Sequence, residues 1–171
     1  METTRISDPL SSVKHDGILG FGLGDNKNAV CSKIIKLGIN AEEHGMTIII
    51  EDERISGISY IQLDFNDKNV LCSILVFFRD NVNTTPQQHI VLFVLKLSQY
   101  IGEPSLFPED VMQQEMYVWH YGDHKIVLSY RTDFDTSDKV TLSFDKENER
   151  NKDYEKIVIT DYCFVPADSI V

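Results

Sequence analysis

Thr85–Gly102 reads TPQQHIVLFVLKLSQYIG, and the fold follows from what this stretch needs beside it. Thr85 is placed to cap a helix, with Pro86 at its first position and Gln88 completing a Thr-x-x-Gln capping box. At the other end Gly102 can adopt the left-handed cap conformation and Pro104 blocks continuation, which predicts a helix of about 16 residues. Ile90, Phe93, Val94, Leu97 and Ile101 form one apolar stripe that Val91 and Leu95 widen. His89, Lys96, Gln99 and Glu103 fall opposite, with Leu92 alone among them. An isolated helix of this length is marginal in water, so the stripe must pack on a tertiary surface. The segments on either side supply one, because both read as strands.

Before the helix, Met46–Glu51, Gly57–Asp64 and Val70–Arg79 are strand-like runs separated by the turn clusters Asp52–Ser56 and Asn66–Asn69. If Phe65 faces Val70, then Leu63 faces Cys72, Ile61 faces Ile74 and Ser59 faces Val76, which gathers the apolar side chains on one side. The other side should be polar, yet it carries Ile58, Tyr60, Leu75 and Phe77 beside Gln62, Asp64 and Ser73. Cover by the chain's own ends explains such a face; so does a protein-binding or dimer surface. Further upstream, Asn26–Leu37 has helical periodicity, with Asp25 as its cap and Gly38 closing it. The GILGFGLGDN run at Gly17–Asn26 superficially suggests a phosphate loop, but it lacks the Gly-Lys-Ser/Thr ending, and Asp25 would repel phosphate. Residues 1–17 show no period and read as a loose lead-in.

After the helix, Glu115–Tyr121 and His124–Arg131 flank Gly122-Asp123, a pair suited to a two-residue hairpin turn. Tyr121 then faces His124, Trp119 faces Ile126 and Tyr117 faces Leu128, while Val118, His120, Lys125 and Val127 point the other way. Val140, Leu142 and Phe144 alternate in a further strand, and Lys156–Phe164 reads as a last one. The fold class expected is therefore α+β in a single domain: two helix-then-antiparallel-meander halves, residues 18–80 and 85–164, with both helices on one face of an antiparallel sheet.

The chain has 171 residues, enough for one ordinary core, and a formal net charge of −11. That charge argues against a nucleic-acid backbone or an anionic membrane as partner and otherwise serves solubility. Cys31, Cys72 and Cys163 are odd in number and widely spaced, so they predict neither a disulfide framework nor a zinc site and suit the cytoplasm. Met1–Asp16 contains no basic start followed by an apolar run, and no apolar stretch reaches membrane-spanning length. A secretion leader cleaved upstream of this numbering is left open.

The helix endings KLGI at Lys36–Ile39 and YIGEPS at Tyr100–Ser105, with WHYGDHKIVLSY at Trp119–Tyr130, resemble the tandem helix-plus-strands units of the beta-lactamase-inhibitor-like fold. A related unit occurs in small outer-membrane assembly lipoproteins, and the pattern is similar to uncharacterised proteins of gut Bacteroidetes. The resemblance spans about Ile18–Phe164 and implies two helices on a sheet and the binding of other proteins. The chain departs from the lipoproteins in having no lipid-attachment cysteine near its start.

No catalytic signature is present. His120 and His124 flank Asp123, but the hairpin register sends the two histidines to opposite faces, which disfavours a metal site. Asp133, Asp135 and Asp138 lack the glycine and closing Glu of a calcium loop. No metal or cofactor is expected. The reading that results is a non-enzymatic protein-interaction module, inhibitor-like or immunity-like, whose partner is another protein or a second copy. Its candidate contact residues are Ile58, Tyr60, Leu75, Phe77, Trp119 and Tyr121, because large aromatics dominate interface energetics; for Trp119 a place in the core is the competing role. The alternatives are a small-ligand, metal-binding or enzymatic site near His120, Asp123 and His124, and a structural homodimer.

Overall fold

The computed structural model describes residues 5–79, 86–107, 114–131 and 140–146. The chain enters through a 3-10 turn, Pro9–Ser12, and a two-stranded ribbon of β1 (Gly17–Ile18) and β2 (Phe21–Gly22). The ribbon turns on Leu19 and Gly20, both with positive φ (58° and 83°), as a tight two-residue hairpin requires. Gly17 has no room for a side chain, since a Cβ there would stand 1.8 Å from the Phe21 carbonyl oxygen. Ile18 and Phe21 are buried, as are Leu10 and Val13, so the segment expected as a loose lead-in contributes to the core. Ile6 is tied to the 54–56 loop by backbone hydrogen bonds from its own N–H to the Arg54 carbonyl and from the Ser56 N–H to its carbonyl.

Helix α1 (Lys27–Leu37) is capped by Asn26, whose side chain accepts from the Asn28 N–H at 2.9 Å. Asp25, the expected cap, instead accepts from the Gly22 N–H at 3.0 Å and pairs with Lys33 at 3.0 Å. Gly38 closes the helix at φ 67°. There follow β3 (Ala41–His44), β4 (Thr47–Ile50), β5 (Ile58–Phe65) and β6 (Leu71–Phe78), then α2 (Pro86–Ile101), then β7 (Ser105–Phe107), β8 (Gln114–Tyr121), β9 (His124–Arg131) and β10 (Val140–Lys146). The expected strand Lys156–Phe164 lies outside the described residues.

The expectation of two helix-then-meander halves is overturned. Strand dominates the described chain, and β3 to β10 form one continuous antiparallel sheet in the order β3-β4-β5-β6-β10-β9-β8-β7, accompanied by the β1–β2 ribbon and only two helices among the described residues. The centre of the sheet is the β6–β10 ladder, running from Phe78 opposite Val140 to Ser73 opposite Asp145. A meander pattern read along the sequence shows only sequential neighbours, whereas this ladder joins strands more than sixty residues apart.

One face of the sheet is apolar along whole rows. Ile50, Ile61, Val76, Leu142, Leu128 and Tyr117 are successive partners in one row, and Ile48, Leu63, Ile74, Phe144, Ile126 and Trp119 in the next. Val30 and Ile34 of α1 and Ile90, Leu97 and Ile101 of α2 join the same buried cluster. The opposite face carries a polar row, Thr47, Asp64, Ser73, Asp145, Lys125 and His120, across six strands.

The β5–β6 register differs from expectation by two bulges. Phe65 pairs with Leu71, leaving Cys72 as an extra residue, so Leu63 faces Ile74 and Ile61 faces Val76. The second bulge, between Ile58 and Tyr60, rotates Ile58 out of the second face. The reason for the first is the turn: the Asn66 side chain accepts from the N–H groups of Lys68 and Val70, and Val70, whose carbonyl accepts from the Asn66 N–H, also bridges to Asn26 on its other side.

Candidate functional site

Three surfaces could carry function, and the sequence-derived residues are distributed among them unevenly. The first is the second face of the sheet. Tyr60 and Phe77 are cross-strand partners whose rings stack at 4.1 Å between centroids. With Leu75 they are partly exposed, as a contact surface requires. Ile58 is not, being 2% exposed and paired with Phe78 in the core. The neighbouring side of β10 and β9 is buried, with Thr141, Ser143, Ser129 and Lys125 all withdrawn from solvent. Asp145 sits partly buried in this row; desolvation pushes its pKa up to about 6, opposed by a hydrogen bond from Ser73 and the charge of Lys125.

The second is the β8–β9 hairpin, whose register is as the Gly122-Asp123 turn predicted, with Gly122 at φ 57°. Trp119 is 2% exposed, and its indole N–H donates to the Gly102 carbonyl at 2.8 Å, so it anchors the end of α2 and is no surface contact. His120 is exposed on the second face and His124 lies on the first. No group of three or more potential metal ligands occurs among the described residues. What His124 does meet was invisible in the sequence. The His15 ring lies 6.2 Å from it and 5.5 Å from the Tyr121 ring, closing a cleft of about 280 Å3 with Val13, Lys14, Tyr100, Ile101 and Gly102. Asp123 is engaged by His124 at 3.5 Å and Lys146 at 3.6 Å. Burial raises the Tyr121 pKa, which keeps its phenol neutral and a donor. His15 falls in the aperiodic lead-in, where only long-range folding could reveal a role.

The third surface is the outer face of α2. Its buried side is narrow, comprising Ile90, Leu97 and Ile101, with Phe93 and Val94 at the margins. Val91, Leu92 and Leu95 are consequently 48%, 54% and 60% exposed, bounded along the helix by exposed Gln88 and Gln99. The result is an uncharged strip at helix-packing spacing on a chain whose residues are 25% charged. The sequence held the signal in Leu92, which breaks the polar side, and in Val91 and Leu95, which overfill the apolar one.

The calcium-like run at Asp133–Asp138 and Cys163 lie outside the described residues. Cys31 and Cys72 are partly buried, and the Cys72 thiol donates to the Asp64 carbonyl at 3.3 Å. Among the described residues no helix is long and apolar enough to cross a membrane.

No known protein family matches the chain, and no curated protein does. Among solved structures, it is similar to a DUF4309 family protein (YjgB) from Bacillus subtilis, at 12% identity and a TM-score of 0.44, over 82% of this chain and 91% of that one. It is also similar to a cysteine-rich secretory protein from Staphylococcus aureus, at 15% identity and a TM-score of 0.35, over 78% of this chain and 46% of that one. The chain thus spans about half the length of the second protein.

Proposed function

We propose that this chain is a non-catalytic protein-interaction module that presents the outer face of α2 to an apolar surface of a neutral or basic partner. The observation that carries the reading is the exposure of Val91, Leu92 and Leu95 as one uncharged strip. Such residues gain from burial and lose nothing to desolvated charge, and side chains at these spacings fit a partner helix or groove. The net charge of −11 repels polyanions and leaves proteins as the natural partners. The Tyr60–Phe77 pair with Leu75 is the secondary contact surface.

Immobilised protein, exposed to extract of its source cell at physiological salt, is compared with the Leu92→Glu, Leu95→Glu double variant and with Tyr60→Asp. The expected result is a protein retained in near-equal amount and lost from the double variant, with affinity reduced by at least about 100-fold, as for two central apolar contacts. Light scattering in parallel identifies the case in which the partner is a second copy. A monomeric mass together with retention unchanged in the double variant, or no retention at all, removes α2 as the contact surface.

A further inference from the structure

The cleft beneath the C-terminal end of α2 has a chemistry that the protein-binding reading does not use. It is lined by three ring-bearing residues, His15, Tyr100 and Tyr121, together with Val13 and Ile101. Lys14 lines the same space and makes no ion pair or side-chain hydrogen bond among the described residues. Asp123, at the turn of the β8–β9 hairpin, is already held by His124 and Lys146. At about 280 Å3 the cleft is slightly below the range that takes drug-sized ligands, so a single ring with one substituent is the size it suits.

We infer that this cleft binds a small aromatic anion, a one-ring carboxylate whose ring lies against Tyr100, Tyr121 and His15 and whose charged group meets Lys14. Aromatic walls favour a planar ring through stacking and edge contacts, and an ammonium without a carboxylate partner favours an anion at its rim. The walls are held in place from behind. The Trp119 indole fixes the Gly102 carbonyl, and Tyr121 packs so closely under Gly102 that a Cβ there would lie 3.4 Å from the tyrosine hydroxyl. The site therefore exists before the ligand arrives, which limits the ordering cost of binding. The chain's negative charge opposes any anion at long range, so the attraction must be local and should fade with added salt.

Benzoate and its neutral analogue benzamide are titrated into the full chain in the millimolar range while backbone amide shifts are followed by NMR. Saturable shifts at His15, Gly102 and Tyr121 are expected, with benzoate preferred by about fivefold or more. Lys14→Gln should abolish the preference for benzoate without abolishing ring binding, and Tyr100→Ala should weaken both ligands. Both residues are exposed, so neither change threatens folding. Shifts that do not saturate or that map elsewhere, equal affinity for the two compounds, or a preference that survives Lys14→Gln would each overturn the assignment.

Discussion

At the scale of single residues, Asp52 shows how much a turn can hold. It falls in what the sequence presents only as a polar turn cluster, yet it is buried, and its carboxylate collects the N–H groups of Asn40 and Arg54 at 2.9 Å each, together with the Arg54 guanidinium. Arg54 reaches on to the carbonyl of Gly38, so the pair fastens the end of α1 to the β4–β5 connection. The Arg54 hydrogen bond, aided by the backbone donors and opposed by desolvation, holds the Asp52 pKa well below the carboxylate range. A depressed carboxylate contributes stability that is present above its unfolded value of about 3.9 and is lost as pH falls through the folded value. Asp52→Asn should therefore cost about 2–3 kcal/mol at pH 7, and the difference from the parent should shrink below about pH 4. Urea unfolding at the two pH values checks this; a cost independent of pH would mean that the charge is irrelevant.

At the scale of elements, what was legible followed local rules. The span of α2, the Gly38 closure of α1 and the register of β8–β9 were all readable because caps and two-residue turns are written in adjacent residues. The β5–β6 register was not, because the bulges at Ser59 and Cys72 depend on contacts with Asn26 and on packing outside the hairpin. That slip turns Ile58 from the surface its alternation implies into the core, and the buried polar side of β10 depends on long-range pairing with β6 and β9. There Thr141, Ser143 and Asp145 alternate with Leu142 and Phe144, and the Thr141 and Ser143 side chains are buried. The raised pKa of Asp145 has the opposite consequence from that of Asp52. Its contribution to stability is greatest below the unfolded value of about 3.9 and falls as pH rises through about 6. Asp145→Asn should gain about 1–2 kcal/mol relative to the parent between pH 4 and pH 8. Denaturation midpoints that move in parallel across that range would refute the effect.

At the scale of the whole molecule, the sheet is continuous through β6 and β10, so the two sides of that ladder should not unfold separately. Leu142, fully buried on β10 between Val76 and Leu128, belongs to both sides. Leu142→Ala should cost about 2–5 kcal/mol and shift the far-ultraviolet transition and the Trp119 fluorescence transition together. Transitions that separate would restore two independent units. The candidate cleft is likewise a whole-molecule feature, since His15 and Tyr121 come together only after distant segments have folded, which is why no local spacing announced it. The same strand order sets a clock for synthesis. Leu71–Phe78 has β5 on one side, but its partner on the other, Val140–Lys146, emerges from the ribosome about 60 residues later. At ordinary elongation rates that interval is roughly 3–12 s. Through it a strand of sequence LCSILVFF presents an open edge in the crowded cell. The nascent chain, more than the finished protein, is where this fold leaves an apolar strand edge open to unwanted pairing.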